Sequence, residues 1–162
     1  MPNVSAQALY SACLTGDAAA VSRLLLCCSR LNLSEPRFQH PDSKSTPLMA
    51  AAACGHTEIV RMVLERAPTT TVDHADTALR MAAQYHHFVI LGLLADRGAN
   101  PRFANKRRET PLSAAIVKIH PDEPPRGPDP DNSLQLATVR VLLRLGACEL
   151  APHPLPLLTP PP

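Results

Sequence analysis

Ser45-Thr46-Pro47-Leu48-Met49-Ala50-Ala51-Ala52-Ala53-Cys54-Gly55-His56-Thr57-Glu58-Ile59-Val60 reads as a loop end, a short helix, a tight turn and a second helix. Thr46 before Pro47 is an N-cap followed by the first helical position, where a missing N–H costs nothing. The alanines that follow let this helix approach its neighbours closely. Gly55 tolerates the positive φ that a tight turn requires. Ile59 and Val60 then form an apolar doublet that returns one turn later as Val63 and Leu64. Positions i, i+1, i+4 and i+5 share one side of a helix, so the segment buries one face.

The same pattern recurs along the chain. Thr46-Pro47-Leu48, Thr77-Ala78-Leu79 and Thr110-Pro111-Leu112 are spaced by 31 and 33 residues. Ala51-Ala52 is matched by Ala82-Ala83 and Ala114-Ala115, and Gly55-His56 by His86-His87. A fainter copy opens the chain with Leu9, Ala12-Cys13 and Gly16-Asp17. The doublets repeat as Ala20, Val21, Leu24 and Leu25, as Ile90, Leu91, Leu94 and Ala95, and as Thr138, Val139, Leu142 and Leu143. Gly98 and Gly146 read as C-terminal caps, and Pro101 blocks helical continuation. Self-similarity at this period predicts stacked helical pairs.

The stretch 45–60 resembles the ankyrin-repeat signature, and Asp96-Arg97-Gly98-Ala99-Asn100-Pro101 is also ankyrin-like. The resemblance implies an all-α fold, a solenoid of stacked helix-turn-helix pairs joined by short hairpins or loops. Four repeats are expected, at about 6–33, 41–71, 72–102 and 105–150, forming one domain over residues 1–150. The family's His after Thr-Pro-Leu is replaced by Tyr10, Met49, Arg80 and Ser113, which implies a looser or individually tuned array. Its hairpin Gly is replaced by Lys44, Ala75 and Arg108, so these loops are not expected to close as tidy hairpins. His86 stands where the interhelical Gly belongs, and a non-Gly residue is expected in the left-handed region there.

Two insertions interrupt the rhythm. Residues 34–39 lengthen the first link, and 120–131 place five prolines, four acids and one base inside the fourth repeat. The second reads as a flexible acidic loop, and the Pro- and Leu-rich residues 151–162 as a disordered tail. A terminal repeat needs a polar outer face. Asn3, Ser5 and Gln7 are expected to supply it at one end, and Arg140 and Arg144 at the other.

Sixteen basic and 14 acidic residues give a net charge of +2, too little for a nucleic-acid binder. No membrane-spanning stretch or secretory signal is visible. Five cysteines without framework spacing read as reduced thiols, which places the chain in the cytoplasm or nucleus. Cys54, His56, His86 and His87 lack zinc-ligand spacing, so no metal and no cofactor are expected. The vicinal Cys27-Cys28 pair reads as structural thiols. No nucleophile with a base, no phosphate loop and no paired carboxylates on a rigid strand appear, so the chain is not read as an enzyme.

The resemblance implies a monomeric protein-interaction module, an adaptor or scaffold. The alternatives are a direct inhibitor of a partner enzyme such as a kinase, or a regulatory fragment of a larger protein. Carried over by position, the partner would meet Asp42, Ser43, Ser45 and Arg66 in repeat two, with Cys54 beside them. Repeat three would offer Asp73, His74, Asp76, Gln84, Tyr85 and Arg97, and repeat four Lys106, Arg107, Glu109 and Lys118. Acids lead the second and third hairpins and bases the fourth, a field that would orient the partner. Lys106-Arg107-Arg108, with Arg102 before it, is the densest basic run and is read as a hairpin contact ahead of a nuclear-import signal.

Overall fold

The computed structural model describes residues 3–27, 45–66, 72–116 and 133–147. The insertions, the tail, Cys28 and the expected contact residues Asp42, Ser43 and Lys118 lie outside these. Eight helices and no strand occur among the described residues: α1 (Asn3–Thr15), α2 (Ala18–Cys27), α3 (Pro47–Cys54), α4 (Thr57–Arg66), α5 (Val72–Gln84), α6 (Phe88–Asp96), α7 (Pro111–Ile116) and α8 (Ser133–Arg144). Odd-numbered helices stack in one row and even-numbered helices in a second row behind it.

Local chemistry explains the helix ends. Thr46 is extended (φ −85°, ψ 163°), and its hydroxyl accepts a hydrogen bond from Met49 N at 3.3 Å. The Met49 sulfur accepts from Thr46 N at 3.5 Å, completing a reciprocal cap. Repeat four does the same with Ser113, whose Oγ accepts from Thr110 N at 2.9 Å while its N–H donates to Thr110 Oγ1 at 3.1 Å. Met49 and Ser113, where the resemblance expects His, thus each complete a cap.

Thr77 behaves differently. It lies inside α5, which starts five residues earlier at Val72. The next residue, Ala78, replaces the proline of the other two copies, and two constraints vanish with it. A proline would push Thr77 out of the α region and would lack a helical N–H donor. The helix therefore absorbs the expected third hairpin, including Ala75.

The apolar doublets resolve into two roles. In repeat one, Val21 and Leu25 are buried while Ala20 and Leu24 are only half-buried. In repeat four the order reverses: Thr138 and Leu142 are buried, Val139 is half-buried, and Leu143 is 46% exposed. Interior repeats bury both pairs, as at Ile59, Val60, Val63 and Leu64. Positions i and i+4 thus face the preceding repeat, and i+1 and i+5 the following one. The polar Thr138 is accommodated because its hydroxyl donates to Leu134 O at 2.8 Å.

Glycines and histidines set the turn geometry. Gly16 and Gly55 have φ of 83° and 80°. A Cβ at Gly16 would sit 2.7 Å from the His56 ring, and one at Gly55 2.6 Å from the His87 ring. Those rings reach back one repeat: His56 Nε2 lies 3.3 Å from Leu14 O, and His87 Nε2 3.0 Å from Ala53 O. Each glycine is therefore required twice, by φ and by the histidine seated on it. His86 adopts the expected left-handed conformation at φ 60°. In the sequence, residues 117–132 stand in repeat four where the others have the short turn.

Candidate functional site

The face toward repeat four is organised by Asn105. Its Oδ1 accepts from Arg107 N at 2.8 Å and Glu109 N at 3.0 Å, while its Nδ2 donates to Glu109 Oε2 at 2.7 Å. Backbone bonds from Asn105 N to Glu109 O (3.1 Å) and from Arg108 N to Asn105 O (2.8 Å) close the turn. Arg108 takes φ 61°, doing the work of the absent glycine. The expectation that this loop does not close tidily is corrected: an asparagine side chain bonding the backbone two and four residues on supplies what the glycine would have given. Lys106, Arg107 and Arg108 are all exposed on this turn.

A polar track leads from the hairpin along α5. Glu109 Oε2 lies 3.7 Å from Arg80 Nη1, which donates to Gln84 Oε1 at 3.3 Å. Half-buried Tyr85 follows at the end of the helix. Arg80 is thus the link between the inner helix of repeat three and the next hairpin.

The remaining expected contact residues fall apart into groups. Arg66 and Cys54 are exposed, and Ser45 is half-buried. Asp73 and His74 lie in α5, with side chains outside the described set. Asp76 is corrected: it is only 5% exposed and accepts a hydrogen bond from Asn100 N. The extended α5 turns it inward, away from a hairpin tip, and it anchors the α6–α7 loop. Arg97 is exposed in part yet donates to Leu64 O at 2.7 Å, satisfying a carbonyl in the last turn of α4. Arg102 leaves the basic cluster as well, donating to Gly146 O at 2.6 Å.

Sequence reasoning missed Asn105 and Arg80, although the Asn-x-x-x-Glu spacing carries a turn signal. It also missed the apolar flank at the end of the array, where Leu136 is 61% and Leu143 46% exposed. Arg140 and Arg144 are exposed as expected.

Other reactive groups have structural duties. Burial pushes the Cys13 thiol up to about 12, so it stays protonated and unreactive in the core. His56 and His87 are occupied by the repeat-to-repeat contacts. Among the described residues no group of three or more His, Cys, Asp or Glu side chains is placed to hold a metal ion. No described helix is long and apolar enough to cross a membrane.

Residues 3–74 match the ankyrin-repeat family model, three copies long. The chain is 37% identical over 108 residues to human ankyrin repeat and KH domain-containing protein 1, covering 64% of this chain and 4% of that protein. It is 35% identical over 111 residues to the Drosophila melanogaster ankyrin repeat and KH domain-containing protein mask, covering 65% of this chain and 3% of that one. Human diacylglycerol kinase iota is 36% identical over 90 residues, which is 52% of this chain and 8% of the kinase. The chain thus spans only a small fraction of the length of these relatives.

Proposed function

We propose, from the ankyrin-repeat match over residues 3–74, that the chain is a non-catalytic module that holds another protein against its hairpin and inner-helix face. Ankyrin repeats are general protein-interaction units. One observation carries the reading: Lys106, Arg107 and Arg108 are exposed side by side on a turn that Asn105 holds closed by five hydrogen bonds. A fixed turn presents its cations without the ordering cost of a flexible loop. The partner chemistry it fits is an acidic segment, attracted by the basic tip and laid along Arg80, Gln84 and Tyr85.

Of the charge order read from the sequence, the basic half supports this reading best, since Asp76 is turned inward. The partner is a protein, the chain acts as a monomer in the cytoplasm or nucleus, and nucleic acid and membrane are not its ligands. The test compares proteins cross-linked to the chain with those cross-linked to a Lys106→Ser, Arg107→Ser, Arg108→Gly variant. Glycine keeps the positive φ at 108, so the turn survives while the charge goes. The expected result is loss of partners rich in acidic segments, at unchanged helix content. Equal capture by both chains contradicts the assignment. Adding the purified chain to an enzyme recovered this way separates tethering from direct inhibition.

A further inference from the structure

We propose that Arg80 is a carboxylate-binding anchor, faced in the free chain by Glu109 and taken over by a carboxylate of the partner. This role presupposes the acidic partner segment proposed above.

Arg80 is a charge with poor partners. Its side chain is only 19% exposed, so the guanidinium has given up most of its water. Charge-assisted bonds that offset such a loss are short, roughly 2.7–2.9 Å between nitrogen and oxygen. None is made here. Nη1 lies 3.7 Å from Glu109 Oε2 and donates to Gln84 Oε1 at 3.3 Å. Nη2 donates to the Met81 sulfur, a weak acceptor, at 3.5 Å. Nε is buried and has no hydrogen-bond partner among the described residues. The fork of donors that suits a bidentate carboxylate is therefore largely unused.

Glu109 shows which chemistry belongs beside the fork and how it is exchanged. It is a carboxylate, and its side chain is 44% exposed. Its short bond goes elsewhere: Asn105 Nδ2 donates to Glu109 Oε2 at 2.7 Å. Two further bonds tie Asn105 to the backbone N–H and C=O of Glu109. The turn thus stays closed when Arg80 trades this carboxylate for another. A partner carboxylate can pair both oxygens with the fork, whereas Glu109 commits Oε2 to Asn105. Glu109 is an internal competitor that the ligand has to beat.

The basic tip plays a different part. Lys106, Arg107 and Arg108 are exposed on the same turn, so they act at long range and are screened by salt. Arg80 lies mostly out of water and is screened less. The tip attracts an acidic segment, and Arg80 fixes one carboxylate of it in place.

Fluorescence anisotropy of fluorescein-labelled octaglutamate mixed with the full chain tests the proposal. Arg80→Lys keeps the charge but loses the fork, and is expected to weaken binding roughly tenfold at low and high salt alike. The Lys106→Ser, Arg107→Ser, Arg108→Gly variant should instead lose much affinity at low salt and little at high salt. Glu109→Gln keeps an acceptor for Asn105 Nδ2 and removes the competing charge. It should tighten binding about fivefold in the unaltered chain, but by less than about twofold beside Arg80→Gln. An Arg80→Lys chain that binds as tightly as the unaltered one overturns the proposal. So does no gain from Glu109→Gln, or an equal gain in both backgrounds. In each of these cases, binding that still depends on the tip leaves the acidic-segment reading standing. Octaglutamate that does not bind the unaltered chain overturns both.

Discussion

The turn at Gly55 and the turn at His86 are built on the same bond and differ in what sits on them. His56 N donates to Ala51 O at 3.0 Å in one, and His87 N to Ala82 O at 2.8 Å in the other. Both turns need a left-handed residue, at φ 80° and 60°. At Gly55 the ring of His87 fills the space a Cβ would take. At His86 the same left-handed position carries a side chain, and the following repeat has an insertion in its sequence in place of the short turn. At Gly16 and Gly55 glycine is therefore dictated by the neighbour as much as by φ.

The largest effect should come from Gly55→Ala. The left-handed conformation costs an alanine about 1–2 kcal/mol, and displacing the His87 ring adds a similar amount. A total loss of about 3 kcal/mol should appear as a lowered urea midpoint. His87→Ala sharpens the comparison from the other side. It removes the contact to Ala53 O and leaves a void over Gly55, so about 2 kcal/mol is expected in the same measurement. The smallest change has the opposite sign. His86→Gly relieves the left-handed strain but adds unfolded-state freedom, leaving about 0.5 kcal/mol of net stabilisation. A destabilised His86→Gly protein would show that the imidazole makes contacts worth more than the strain it bears.

Much of the array is legible in the residues themselves. The doublets at 59–64 and 90–95 announce two-sided burial, and Thr46-Pro47 and Thr110-Pro111 announce helix starts, because those signals are local. The sequence also marks where a start is missing: Ala78 in place of proline lets α5 run back to Val72. What stayed hidden depends on partners far along the chain. Arg97 caps α4 through Leu64 O, Arg102 reaches Gly146 O, and Asp76 holds Asn100 N. Each is a charged residue that composition assigns to the surface, and each is recruited by a backbone group more than 20 residues away. The candidate site is the least legible part, because α5 runs as helix from Val72 through the stretch where the repeat pattern implies a third hairpin.

Neighbouring repeats are locked together through the turn, and a double-mutant cycle between Gly55 and His87 probes that lock directly. With the ring already removed by His87→Ala, Gly55→Ala should carry only its backbone cost of about 1.5 kcal/mol, giving a coupling energy of about 1.5 kcal/mol. Strictly additive losses would mean that the His87 ring does not press on position 55, and the stacking described for repeats two and three would be wrong.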